Sequence, residues 1–116
     1  MRVEQNVAFI ERETLAVKTP CRPGPIERVA RDIAEVHSEL LLVHPFREGN
    51  GRLARWVADL MALQAGNPLP IYRFAGRGAE AEKKRYLAAV KMGYQKDYEA
   101  LTVFFADVIA RGRKGS

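Results

Sequence analysis

Apolar positions recur along most of this chain with the period of a helix, and the pattern divides it into separate amphipathic segments. Ile26, Val29, Ala30, Ile33, Val36, His37 and Leu40 share one side of a segment from about Pro25 or Ile26 to Val43. Proline suits the first turn of such a helix. From Gly51 onward, Leu53, Trp56, Val57, Leu60 and Met61 follow an i, i+3, i+4, i+7, i+8 series and predict a second helix with those residues inward, Trp56 in the core. Ala65-Gly66-Asn67-Pro68 is its stop signal. A third helix is expected from about Ala79 to Met92. Asp97 is the expected N-cap of a fourth, whose inner face is Leu101, Phe104, Phe105, Val108 and Ile109. Val3, Val7 and Ile10 give a looser helical pattern from about Arg2 to Val17.

The connections read as loops. Thr19 to Pro25 holds three prolines in seven residues, and Pro68, Pro70, Gly76 and Gly78 break the stretch after the second helix. Tyr72, Arg73 and Phe74 in that stretch are read as packing residues, with contact to a bound base as the alternative. His37, on the apolar face of its helix, is read as a core histidine with satisfied ring nitrogens. No strand alternation, repeat or low-complexity tract appears, so the pattern predicts an all-α bundle packed around the second helix.

At 116 residues, with 47% hydrophobic and 28% charged residues, the chain has the size and composition of one globular domain spanning 1–116. No apolar run approaches the ~18 residues of a membrane span, and the N-terminus is polar. The expectation is a cytoplasmic protein with no membrane partner. One cysteine, Cys21, permits no internal disulfide and is read as a linker residue. The net charge of +5 raises the possibility of a basic nucleic-acid-binding module. Lys83-Lys84-Arg85 fits a solvated helix face, however, and Arg111, Arg113 and Lys114 fit a basic helix end and tail. Nucleic acid is the weaker reading.

The stretch from His44 to Arg55 carries the candidate chemistry. Gly49, Asn50 and Gly51 tolerate the backbone angles that let successive N–H groups converge on an anion, and they open a helix whose N-terminal amides attract phosphate. Arg52 and Arg55 are three apart, on one helical face, and guanidinium forks fit phosphate oxygens two at a time. Glu48 would repel phosphate unless a Mg²⁺ ion joined them. His44 precedes Pro45, which marks the end of the preceding helix and leaves an imidazole on a loop, where it can accept a proton from a hydroxyl. Phe46 anchors the loop.

This stretch resembles the signature of the Fic (Fic/Doc, or Fido) family, H-x-F-x-[D/E]-G-N-G-R-x-x-R, at every defined position: His44, Phe46, Glu48, Gly49, Asn50, Gly51, Arg52 and Arg55. The likeness extends from about Pro25 to about Ile109. It implies transfer of AMP from ATP to a Ser, Thr or Tyr hydroxyl of a protein substrate, with pyrophosphate released. By this resemblance His44 is the general base and Glu48 the ligand of Mg²⁺ (or Mn²⁺). Gly49, Asn50 and Gly51 form the α- and β-phosphate hole, and Arg52 and Arg55 hold the outer phosphates. Gly51 separates the chain from the phosphotransferase branch, where lysine stands at that position. Transfer of another nucleoside monophosphate, or nucleotide binding without turnover, are the alternatives.

Two family features are missing from the sequence. Fic domains carry further N-terminal helices and a β-hairpin that docks the target by strand addition, and no such hairpin is found. The inhibitory pattern [S/T]-x-x-x-E-[G/N] is also not found, so restraint is expected from a region outside this chain, from an antitoxin-like partner, or not at all.

Overall fold

Proline at position 25 begins the first helix by its carbonyl, which accepts the N–H groups of Arg28 and Val29 at 3.1 Å each. The computed structural model describes residues 21–43 and 50–115, with side chains described for 21–41 and 52–115. Four helices account for it: α1 (Ile26–Val43), α2 (Asn50–Gln64), α3 (Ala79–Gly93) and α4 (Glu99–Gly115). No strand occurs among the described residues, and the all-α expectation holds. The expected helix over 2–17 lies outside the described residues. No helix among them is long and apolar enough to cross a membrane.

Helix ends follow the sequence signals. Gly66 takes φ +86°, the Asn67 N–H donates to the Ala62 carbonyl at 2.9 Å, and the Gly66 N–H donates to the Leu63 carbonyl at 2.9 Å. This paired closure satisfies the last carbonyls of α2. The same closure after α3 puts Lys96 at φ 63°, with Asp97 N–H donating to Met92 O at 3.1 Å. A side chain in that left-handed region is strained by roughly 1–2 kcal/mol. Part of that relief is offset by the greater freedom of glycine in the unfolded chain. Lys96→Gly is therefore expected to stabilise the fold by about 0.5–1 kcal/mol, seen as a higher urea midpoint at unchanged slope. A lower midpoint would contradict the turn. Asp97 sits before α4, where its carboxylate accepts the Glu99 N–H at 3.3 Å.

α1 is the hub, packing against α2, α3 and α4, while α4 also packs along α3. Among the described residues, α1 therefore makes the most extensive helix contacts. The expected inner faces of α1 and α4 are buried: Val29, Ala30, Ile33, Val36 and His37 on one, Leu101, Phe104, Phe105, Val108 and Ile109 on the other.

α2 corrects its expected inner face. Ala54, Ala58, Met61, Ala62 and Ala65 are buried, whereas Leu53, Leu60 and Trp56 face solvent, Trp56 at 70% exposure. Of the expected face, Met61 is buried and Val57 partly so. Alanines let the backbone of α2 come close to α1, close enough for a ring of α1 to reach a carbonyl of α2. The larger residues would hold the helices apart.

The loop after α2 is tied down at both ends. Arg113 donates from Nε to Asn67 Oδ1 at 2.8 Å, and Arg111 grips Glu82 with two guanidinium nitrogens, Nη2 to Oε1 at 3.1 Å. The Arg73 N–H donates to Glu82 Oε2 at 3.1 Å. Glu82 is nearly buried, and the Arg111 guanidinium holds its carboxyl below the usual carboxylate range. Arg111 and Arg113 are thus structural ties between α4 and its neighbours, and not a free basic tail. Cys21 is likewise no plain linker residue: it is buried, and its N–H donates to Gln64 Oε1 at 2.9 Å, which seats the start of the described chain against the end of α2.

Candidate functional site

α1 is described as far as Val43 and α2 from Asn50; the break expected at His44-Pro45 lies outside the described residues. Asn50 and Gly51 are the first two described residues of α2. His44, Phe46, Glu48 and Gly49 lie outside the described residues.

Arg52 is exposed and Arg55, one turn on, is partly buried. The Arg55 guanidinium lies 5.3 Å from the centre of the Phe74 ring. Its positive charge is felt by His37, Asp59, Tyr72 and Tyr86, which places it among an aromatic and acidic set drawn from α1, α2, the loop after α2 and α3. Tyr72 donates to Asp59 Oδ1 at 2.9 Å and stacks on Phe74 at 5.6 Å. Burial raises the Asp59 carboxyl, and burial together with the Asp59 charge raises the Tyr72 hydroxyl far above its ordinary value. Tyr72 and Phe74 are packing residues, as expected, and Phe74 also backs Arg55. Asp59 stands one turn after Arg55 on α2, a local helical spacing, whereas nothing in the sequence linked Phe74 and Tyr86 to Arg55, because they are far apart along the chain.

His37 supports the first turns of α2 from below. Its Nδ1 is 3.2 Å from the Ala54 carbonyl and its Nε2 is 2.6 Å from the Tyr86 hydroxyl. A carbonyl can only accept, so Nδ1 carries the proton and donates to Ala54. In the neutral ring Nε2 then accepts from Tyr86. The ring also meets Phe105 edge-on at 5.0 Å. One imidazole of α1 therefore touches α2, α3 and α4. Burial lowers its pKa to about 4 despite the Ala54 hydrogen bond, and burial raises Tyr86 to about 12. A neutral, fully engaged imidazole suits a core position and not a proton acceptor for substrate. The core reading of His37 holds.

Among the described residues no group of three His, Cys, Asp or Glu side chains could hold a metal ion. Glu48, the expected ligand, lies outside them.

A family model described as the Fic/DOC family matches residues 5–62, half of the chain, a span that includes α1, the whole signature and most of α2. Over 91 residues the chain is 34% identical to the protein adenylyltransferase fic-1 of Caenorhabditis elegans, a match covering 58% of this chain and 17% of the relative. It is 44% identical over 63 residues to the protein adenylyltransferase Fic of Nematostella vectensis, covering 54% of this chain and 14% of the relative. A third match, 33% identical over 75 residues, is to the protein adenylyltransferase and cysteine protease IbpA of Histophilus somni, covering 65% of this chain and 2% of the relative. The chain therefore spans less than a fifth of the length of these relatives. No solved structure matches it. With its signature at the junction of α1 and α2 and half of its length matched by the family model, this chain belongs to the Fic/DOC family.

Proposed function

We propose that this chain carries the nucleotide-transfer site of a protein adenylyltransferase, moving AMP from ATP onto a Ser, Thr or Tyr hydroxyl of a protein substrate. The observation that supports it most is the complete signature opening α2, with Arg52 and Arg55 one turn apart in the first turns of that helix. Two of the relatives are protein adenylyltransferases by name, which supports the same reading.

In this reading His44 takes the proton of the attacking hydroxyl as its oxygen bonds to the α-phosphorus. The bond from that phosphorus to the bridging oxygen breaks, and pyrophosphate departs with the electron pair. Amides of Gly49, Asn50 and Gly51 face the α- and β-phosphate oxygens, where N–H groups aimed at developing charge are most effective. Arg52 and Arg55 hold the outer phosphates. For Arg55 this means turning from Phe74 toward phosphate. A cation–ring contact is worth about 0.5–2 kcal/mol, comparable with or less than a charge-assisted, two-pronged phosphate contact of about 1.5–3 kcal/mol, so the exchange is favourable or close to neutral. Glu48 would hold Mg²⁺, which when bound neutralises phosphate charge. Positioning and neutralisation carry the acceleration in such chemistry. An antitoxin-like partner is the proposed source of restraint.

The test is incubation of the protein with Mg²⁺ and α-labelled ATP, GTP, CTP or UTP in parallel. The reading predicts label on protein with ATP foremost. Preference for another nucleotide would move the chain to a different transfer class. Thermal stabilisation by ATP and Mg²⁺ without any retained label would reduce it to a binding module. Salt-dependent nucleic-acid binding that survives Arg52→Ala and Arg55→Ala would favour the basic-module reading instead.

A further inference from the structure

A basic cavity to which α2 contributes no lining residue lies between the loop that follows α2, the first turn of α3 and the side of α4. Its volume is about 250 Å³, and Arg73, Arg77, Arg85 and Arg111 line it together with Glu82. That is below the roughly 300–1,000 Å³ that encloses a drug-sized molecule, so the cavity suits one small charged group and not a whole nucleotide.

The charges around it do not balance. Glu82 is taken by Arg111, and Asp107 is taken by Arg85 at 2.6 Å. Arg85 is further fixed by its guanidinium lying 5.1 Å over the Phe104 ring. Arg73 and Arg77 are exposed, and no ion pair is recorded for either among the described residues. Two carboxylates thus face four guanidiniums. Arg85 and Arg111 are each held by a carboxylate, whereas Arg73 and Arg77 leave their guanidiniums free to turn toward the cavity. Gly78 at the edge takes φ +82° with open space where a side chain would project, and no side chain caps α3. Arginines already fixed by a carboxylate, with free ones beside them, present planar forks that fit phosphate oxygens two at a time.

We propose that this cavity is a second anion site, separate from the α2 turn, which takes a free phosphate or diphosphate group between Arg73, Arg77, Arg85 and Arg111. The site does not depend on the adenylyltransferase reading.

The experiment is a calorimetric and NMR titration of the whole chain with inorganic phosphate and with inorganic pyrophosphate, in the Arg52→Ala/Arg55→Ala background that removes the α2 arginines. Saturable binding is expected, with amide shifts centred on Gly78 to Ala81. Adding Arg73→Ala/Arg77→Ala should weaken it at least tenfold and leave the melting temperature in place, since neither side chain is engaged in the fold. Whichever anion binds tighter gives the number of phosphates accommodated. Absence of saturable binding, shifts centred elsewhere, or affinity unchanged by the Arg73/Arg77 pair would overturn the proposal. No ATP is present, so failure of nucleotide transfer leaves this result untouched.

Discussion

His44→Ala is expected to lower the rate of AMP transfer by about 10²–10⁴-fold, the usual contribution of a positioned general base, while binding of ATP with Mg²⁺ stays within a few-fold. Binding should survive because the phosphate contacts proposed above come from amides, Arg52, Arg55 and the ion, none of which the imidazole supplies. The contrasting variant is Arg55→Ala, in which weaker ATP binding and slower transfer should appear together. A single-turnover rate and a separate affinity for each variant distinguish the two patterns. Transfer by the His44 variant at the parent rate would remove His44 from the mechanism. Loss of binding in the same variant would make it a phosphate ligand instead.

The second large effect concerns the other histidine. His37→Ala should destabilise the fold by about 3–4 kcal/mol, from the cavity left among Tyr86, Phe105 and the α2 backbone and from the Tyr86 hydroxyl left without its acceptor. Domains of this size hold only about 5–15 kcal/mol in total. The same residue imposes a pH dependence. Its pKa is about 4 in the fold against 6.5 for an imidazole in water, so between those limits the unfolded chain binds a proton that the folded chain excludes. Stability from this group is therefore complete above pH 6.5 and is lost as the pH falls toward 4, by about 3 kcal/mol in all. Urea unfolding from pH 7 to 5, in the His44→Ala background so that His37 is the only histidine, should show a falling midpoint. The slope should vanish when His37→Gln is added. An unchanged slope in that variant would assign the acid sensitivity to carboxylates.

The sequence was a good guide where large apolar residues face inward and a poor one where small residues do. α1 and α4 bury Val, Ile, Leu and Phe at helical spacing, so the period alone identified their inner faces. α2 carries both an alanine stripe and a Leu-Trp-Leu stripe, and hydrophobicity favours the second. Close packing on α1 requires the first, because only methyl groups let the Ala54 carbonyl come within reach of His37. Trp56 was misplaced for that reason. The ties between Arg111 and Glu82 and between Arg113 and Asn67 join residues 29 and 46 positions apart, beyond any local pattern, and so those arginines read as a plain basic end. Of the candidate site, the residue types and their spacing were legible from the motif. The aromatic backing of Arg55 by Phe74 and the support of α2 by His37 emerged only once the helices were packed.

The central claim is that the turn opening α2 grips a nucleoside triphosphate so that its α-phosphorus is the one attacked. Parallel reactions with ATP labelled at the α- or at the γ-phosphate, each with Mg²⁺ and a hydroxyl-bearing protein acceptor, test it most directly. The account predicts that α-label becomes covalently attached to protein while γ-label is recovered in pyrophosphate. Protein carrying γ-label, or folded protein that binds ATP and retains neither label, would contradict it.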